Sequence, residues 1–373
     1  MQEKWLDRVI TVLGWAPTSG PRIPLIAALA VMAASYLLLP SSAPQASLPE
    51  PAAVSPALAL ATLAGRPPSF PGAFSKGAPP PPDSAAAVRA AGADQPVAWQ
   101  AMTSELEAAA KSYPGSVAIY IKDLKRGWEW SYHADDIFPA ASLIKLPVMI
   151  AVFNKIGNGE VSLSSPVILR RSVRMGGSGS IKWMKDGSRL TVLKLLEKLI
   201  DESDNTAQRM LIDEVGMGYL QRQFPKMGLV FTEIYPEGLS LSSSAVKYEN
   251  YTTAREMSML LEKIYKGEAV DPQSSQLMLD ILKRRRPSSR LAKTLPPGWQ
   301  IAHKTGLLRK ACHDSSIIFS PDGDYVLTVL TGHNRNYSSA KTFIGRLGRI
   351  TYRRYGSDQG LLARAGRAVV DAR

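Results

Sequence analysis

From Trp99 onward the spacing of apolar and polar positions changes period several times, and each period predicts an element. Residues 101–112 have the spacing of an amphipathic helix, which Pro114-Gly115 ends. Residues 117–121 and 128–132 read as paired strands around a turn at Lys125-Arg126-Gly127. An apolar run then extends from Ser142 to Ile156 and predicts a helix; Pro147 inside it costs little if it lies near the helix start. Helical periods follow at 190–200, 206–215, 253–265, 272–283 and 337–355. Asp204 or Asn205 can cap the second of these, and Asp271 the fourth. Residues 299–304, 315–319 and 325–331 read as strands, the last two joined at Pro321-Asp322-Gly323. Two strands, a mostly helical block, three strands and a closing helix predict an α+β fold. An antiparallel sheet built from both ends of the domain is flanked by helices and carries an inserted all-helical lobe.

The N-terminal part reads differently. Residues 1–22 form a polar lead carrying Lys4, Arg8 and Arg22, and Ile23–Leu39 is uncharged and mostly apolar. That length is at the short end of the roughly 17–25 residues that cross a bilayer, and the preceding cations predict a cytoplasmic N-terminus. The expectation is a transmembrane signal-anchor at 23–39; the competing reading is a cleaved signal peptide, since Ser41, Ser42, Ala43, Ala46 and Ser47 follow the run. Residues 40–97 are dominated by Ala, Pro and Ser, with Pro79–Pro82 in a row, and lack any period. Such a segment buries too little apolar surface to offset its ordering entropy and is expected to be a disordered linker. The globular domain is expected at 98–357, and the Ala/Arg/Gly-rich residues 358–373 as a mobile tail.

Composition changes this picture only slightly. With 45% hydrophobic and 21% charged residues in 373, the chain has ample material for a large core. A net charge of +13 accompanies no nucleic-acid motif, so the basic surface faces anionic lipid, cell-wall polymer or simply solvent, and no nucleic-acid partner is expected. Cys312 is the single cysteine, which excludes an intramolecular disulfide and reads as a small core residue. Gly176–Ser180 is Gly-rich, but no Gly-Lys-Ser/Thr follows, so it reads as a turn and not a phosphate loop. No His/Cys/Asp cluster has metal-ligand spacing, and neither metal nor cofactor is expected.

The candidate chemistry lies in Phe138–Met149. Ser142 and Lys145 stand three residues apart, which on a helix brings hydroxyl and amine together. A serine needs a neighbour to take its proton, and a lysine in an apolar pocket can be that base. Ser-x-x-Lys also occurs at Ser244/Lys247 and Ser338/Lys341, so the pair alone selects nothing. Two further motifs select the first: Ser203-Asp204-Asn205 and Lys304-Thr305-Gly306, each present once and in that order. Alone, Ser203-Asp204-Asn205 would equally be a helix cap. A Ser/His/Asp triad from His133, His303, His313 or His333 lacks a Gly-x-Ser-x-Gly elbow.

Ser-x-x-Lys, Ser-Asp-Asn and Lys-Thr-Gly in this order resemble the signature of class A β-lactamases and penicillin-binding proteins, over about Trp99 to Tyr355. The resemblance implies a β-lactamase/transpeptidase-like fold with a cleft between lobes, and a serine hydrolase that forms an acyl-enzyme. It implies Ser142 as nucleophile, Lys145 as its base, and Ser203 as proton donor to the departing nitrogen. Asn205 would hold the substrate amide, and Lys304 and Thr305 a substrate carboxylate. The backbone N–H groups of Ser142 and Leu307, which follows Gly306, would hold the oxyanion. Arg309 is a further cation for the carboxylate. The substrate class implied is a β-lactam or a peptidoglycan-derived molecule. The location implied is the bacterial inner membrane, with the catalytic domain on the periplasmic or cell-wall side.

At one place the sequence departs from the pattern. Class A enzymes carry Glu-x-x-Leu-Asn after Ser-Asp-Asn, and its glutamate activates the deacylating water. This chain has Tyr235-Pro-Glu-Gly-Leu-Ser240, with Glu237 the nearest acid and Glu233 a second candidate. Without a working base the acyl-enzyme persists. A D-alanyl peptidase, penicillin-binding protein or esterase on the same scaffold is therefore the alternative, and a catalytically silent tethered binding protein a third.

Overall fold

The computed structural model describes residues 96–236, 238, 249–284 and 290–355. The expected anchor at 23–39, the linker up to residue 95, the tail at 358–373 and Glu237 lie outside the described residues.

Helix α1 spans Val97–Lys111, four residues earlier than its period indicated and across the expected boundary at residue 97. Pro96, extended at the N-cap, hides this start in the sequence because it resembles the Pro-rich segment before it. Strands β1 (Ser116–Asp123) and β2 (Glu129–Tyr132) pair antiparallel with Ile119 opposite Tyr132. The short β3 (Phe138–Pro139) leads into a 3-10 turn at Ala141–Ile144, and α2 (Lys145–Gly157) continues from it. Strands β4 (Pro166–Ile168) and β5 (Arg189–Thr191) form a small ribbon before α3 (Val192–Asp201). Leu190, expected in a helix, therefore lies in a strand; Thr191 caps α3 by accepting from Lys194 N at 3.1 Å. Helices α4 (Asn205–Val215) and α5 (Met217–Lys226) follow, then β6 (Tyr251–Thr252), α6 (Ala254–Lys266) and α7 (Pro272–Arg284). Thr253 caps α6, and Asp271 accepts from Ser274 N at the start of α7. A 3-10 turn at Arg290–Thr294 precedes β7 (Gln300–Leu308), β8 (Ala311–Ser320) and β9 (Gly323–Gly332); α8 (Tyr337–Arg354) follows.

The main sheet has five strands in the order β2-β1-β9-β8-β7, so its two halves come from opposite ends of the domain and β7 forms an edge. Both of its faces are covered. On one, Ile119, Ile121, Leu327 and Val329 pack with Trp99, Met102 and Leu106 of α1 and with Ile344 and Leu347 of α8. On the other, Ala118, Tyr120, Val326 and Leu330 join the core of the helical lobe through Met257, Leu260 and Leu261 of α6. Val117–Ile121 is consequently buried throughout, as in strands covered on both sides. Helix α2 runs through the middle of the lobe, and every residue from Lys145 to Phe153 is buried. A helix that is apolar all round needs such a central place. Each of its large side chains contributes about 1.5–3 kcal/mol by leaving water. A lysine at the head of this helix is thereby carried into the core.

Candidate active site

Ser142 sits in the 3-10 turn and not on α2 itself; Lys145 is the first residue of α2. The i to i+3 geometry survives because 3-10 spacing also aligns these positions. Pro147 is the third residue of α2, where no intrahelical acceptor awaits its missing N–H. The approach to Ser142 is held from two sides. Ala140 N donates to Asn250 O at 2.6 Å, and Pro139 O accepts from His313 Nε2 at 2.8 Å. The next residue, Ala141, takes φ +49, a left-handed conformation unusual for a residue with a Cβ.

Lys145 is 1% exposed. Its Nζ lies 2.6 Å from Ser203 O, 2.6 Å from Asn205 Oδ1, 3.2 Å from Ser203 Oγ and 3.3 Å from Ser142 Oγ. Ser203 has φ +53, which turns the chain so that both its carbonyl and its hydroxyl face that amine. Asp204 takes the cap: its carboxylate accepts from Ala207 N at 2.9 Å and, with its other oxygen, from Ile181 N at 2.9 Å. Capping by Asp204 leaves the Asn205 side chain to reach Lys145, while its Nδ2 donates to Gly176 O at 2.9 Å. The Gly-rich turn packs directly on this motif. A Cβ on Gly179, whose φ is +103, would lie 2.5 Å from Asp204 Cα.

The third motif arrives on edge strand β7. Lys304 is fully buried, and its Nζ donates to Ser203 Oγ at 3.0 Å and to Thr305 O at 2.8 Å. The Ser203 hydroxyl is therefore the meeting point of two lysines. It accepts from Lys304, and its own hydrogen stays available for donation. Gly306 lies against the nucleophile turn: a Cβ there would be 3.1 Å from Ala141 Cβ, 3.3 Å from Ala140 O and 3.0 Å from His313 Cδ2. Leu307 follows at the exposed end of the strand. Ser142, Lys145, Ser203, Asn205, Lys304, Thr305 and Gly306 thus converge from the head of α2, the head of α4 and β7.

Other expected residues stand apart. Arg309 is exposed in the β7–β8 turn. Glu233 is exposed too and accepts from Tyr235 OH at 2.5 Å. Asn250, whose carbonyl holds Ala140, is buried and its side chain accepts from Tyr235 N at 2.7 Å. Several neighbours carry no local signal in the sequence. Arg290 is buried behind β7, donating to Gly306 O at 3.3 Å and to Cys312 Sγ at 3.2 Å. Asp314 accepts from Ser316 Oγ at 2.8 Å, from Leu291 N at 3.3 Å and from His303 Nδ1 at 2.9 Å. Burial pushes the Asp314 carboxyl up, but His303, Arg290 and Ser316 outweigh it and hold it below the usual carboxylate range. His313 Nδ1 accepts from Thr331 N at 3.2 Å, so its proton is on Nε2, facing Pro139 O. Burial drives this imidazole down to about 4.

Fold and motifs together define an acyl-transfer scaffold of the penicillin-recognising kind, and the family is a matter of direct comparison. Residues 101–355 match the family model described as "Beta-lactamase enzyme family", and the chain belongs to that family. It is 25% identical over 205 residues to the extended-spectrum β-lactamase PER-1 of Pseudomonas aeruginosa, covering 52% of this chain and 67% of that protein. It is 24% identical over 270 residues to β-lactamase VEB-1 of the same organism, covering 68% of this chain and 90% of that one. Among solved structures, a β-lactamase of Sphaerobacter thermophilus superposes with a TM-score of 0.64 at 27% identity, covering 69% of this chain and 97% of that chain. PBP-A superposes with a TM-score of 0.62 at 28% identity, covering 68% and 95%.

Proposed function

We propose that this protein is a serine β-lactamase that opens the β-lactam amide through an acyl-enzyme on Ser142. Ser142 Oγ attacks the lactam carbonyl and its proton passes to Lys145, acting as the neutral amine. The two shortest contacts of Lys145, to Ser203 O and Asn205 Oδ1 at 2.6 Å each, suit the two N–H groups of that amine, while Ser203 Oγ at 3.2 Å and Ser142 Oγ at 3.3 Å both face the same nitrogen. The carbon–nitrogen bond then breaks, the nitrogen takes the Ser203 hydroxyl proton, and Lys145, 3.2 Å from Ser203 Oγ, replaces that proton with the one it took from Ser142. Lys304, bonded to the same hydroxyl, polarises it and with Thr305 receives the substrate carboxylate. Asn205 holds the substrate amide. The backbone N–H groups of Ser142 and Leu307 hold the oxyanion, each such donor contributing about 2.7–4 kcal/mol. Glu237 then takes a proton from the water that attacks the ester carbonyl and returns it to Ser142 Oγ as the ester bond breaks.

The observation that carries this reading is the single amine of Lys145 shared by Ser142, Ser203 and Asn205, with Lys304 closing the circuit on Ser203. The test is covalent labelling by a penicillin, read by mass spectrometry. The Ser142→Ala variant should give no adduct; an adduct formed at the wild-type rate would refute the assignment. A second reading, a D-alanyl peptidase or esterase of the penicillin-binding type, is favoured by the missing asparagine after Glu237-Gly-Leu239 and by the likeness to PBP-A. Steady turnover of nitrocefin supports the lactamase; a stable penicillin adduct without turnover supports the second.

The same proposal places the chain in the bacterial inner membrane. Residues 23–39 are its anchor, 40–95 its tether, and the catalytic domain faces away from the cytoplasm. The full-length chain should sediment with membranes and be digested by protease added from the periplasmic side. A soluble product beginning near residues 41–47 would mean signal cleavage instead.

A further inference from the structure

A buried arginine lies on the far side of β7. Gly306 C=O and Leu307 N–H are the two ends of one trans peptide unit and point in opposite directions. β7 is an edge strand, bonded to β8 on one side and open on the other. A donor on Gly306 O therefore acts on the end of the peptide opposite Leu307 N–H. Arg290 Nη2 is one such donor, at 3.3 Å, on the side where Gly306 also lies opposite His313 of β8. Its guanidinium is fixed by Nε on Cys312 Sγ at 3.2 Å, and Arg290 itself is only 6% exposed. Its backbone is held at φ +62, a conformation that L residues adopt seldom and that the surroundings must enforce. Asp314 provides the opposing charge, and its bond from Leu291 N holds the next residue of the same turn. Arginine suits such a place: its planar fork holds two acceptors in a fixed geometry and its charge cannot be lost.

We propose that Arg290 is a positioning residue for the oxyanion site, orienting and polarising the Gly306–Leu307 peptide from behind so that Leu307 N–H becomes a stronger donor toward the cleft. This rests on the reading above in which Leu307 N–H receives the oxyanion. A cationic donor on the carbonyl draws electron density along the peptide and leaves its N–H more positive; such cooperative strengthening is about 10–30% per bond. Loss of a whole oxyanion donor slows catalysis about 10²–10³-fold, so the same fraction on a logarithmic scale is about two- to eightfold.

The experiment compares wild type with Arg290→Gln and Arg290→Met. Acylation is timed with two reagents, nitrocefin and an activated acetate ester that carries no carboxylate, and the acyl carbonyl stretch is recorded by infrared difference spectroscopy. The expected result is a two- to eightfold slower acylation with both reagents and an acyl carbonyl band moved to higher wavenumber. The two variants pose one question with a polar and an apolar side chain, and either suffices if the other does not fold. Unchanged rate and band in a folded variant overturn the proposal. A loss confined to nitrocefin also overturns it, since Arg290 would then serve the substrate carboxylate. Failure of the wild type to form any adduct at Ser142 would overturn the underlying reading instead, which keeps the two apart.

Discussion

Acidification should weaken this domain through His313, by an amount that can be worked out in advance. The imidazole is buried and neutral, accepting from Thr331 N and donating to Pro139 O. In the unfolded chain it titrates near 6.5, whereas burial, reinforced by the charge of Arg290 and only partly opposed by the Pro139 and Cys312 backbone, holds it at about 4 when folded. Because the folded value is depressed, the unfolded state binds the proton first as pH falls. The contribution is fully present above pH 6.5 and is lost as pH falls toward 4. The full loss is about 3 kcal/mol, at about 1.4 kcal/mol per pH unit, and about 2.5 kcal/mol of it is gone by pH 4.5.

The assay is urea unfolding of wild type and His313→Gln from pH 7.5 to 4.5. Glutamine offers one acceptor and one donor without titrating, and every other group cancels in the difference between the two proteins. Wild type should lose about 2.5 kcal/mol relative to the variant across that range. Parallel stability curves would refute the reasoning. Activity should follow a different course: the acylation rate of the folded enzyme should hold until pH approaches 4. There a second proton on His313 would set two N–H groups face to face at Thr331 and loosen the Pro139 carbonyl, three residues before Ser142.

Two substitutions probe the close approaches that assemble the site. Gly306→Ala places a methyl 3.0–3.3 Å from His313, Ala141 and Ala140, so these must yield by a few tenths of an ångström. It should cost about 1–3 kcal/mol in urea unfolding. Displacing Ser142 from Leu307 N–H by that much should slow nitrocefin acylation roughly fivefold, and a wild-type rate would contradict the placement. Gly179→Ala combines φ +103 with a clash against the buried Asp204, so it should cost about 2–6 kcal/mol. An unchanged thermal midpoint would show that the Gly-rich turn does not rest on that motif.

Much of this arrangement was legible before the structure because its signals are local. The caps at Asp204 and Asp271 appear where short polar side chains precede helical periods, and each strand of the main sheet overlaps a segment that reads as a strand. Polarity turned inward carries no such local signal. β8 begins at Ala311, four residues before its expected start, because His313, Asp314, Ser315 and Ser316 read as surface residues. All four are buried and bonded: His313 to Pro139, Asp314 to His303, Ser315 to Thr328 and Ser316 to Asp314. Helix α5 was hidden by Gly216 before it and Pro225 within it, although Leu220 and Phe224 bury one face at helical spacing. Arg290 could not be assigned from its own neighbours, since its partners Gly306 and Cys312 lie 16 and 22 residues away.

The strained residues show why the three motifs must arrive together. Ala141, Ser203 and Arg290 all have positive φ without being glycine, and each adjoins or belongs to a segment that reaches the site. A left-handed residue with a Cβ costs about 1–2 kcal/mol, and no single segment would hold such a conformation unaided. At Ser203 the offset comes from two lysines supplied by other elements, through Lys145 on its carbonyl and Lys304 on its hydroxyl. At Ala141 it comes from Asn250 and His313, which hold the residues before it. At Arg290 it comes from β7 and β8. Each strained turn is thus stabilised by one of the other segments, so the nucleophile, the proton carrier and the edge strand are set by one another. A change in any one of them should be felt as a loss of geometry at Ser142 before it is felt as a loss of fold.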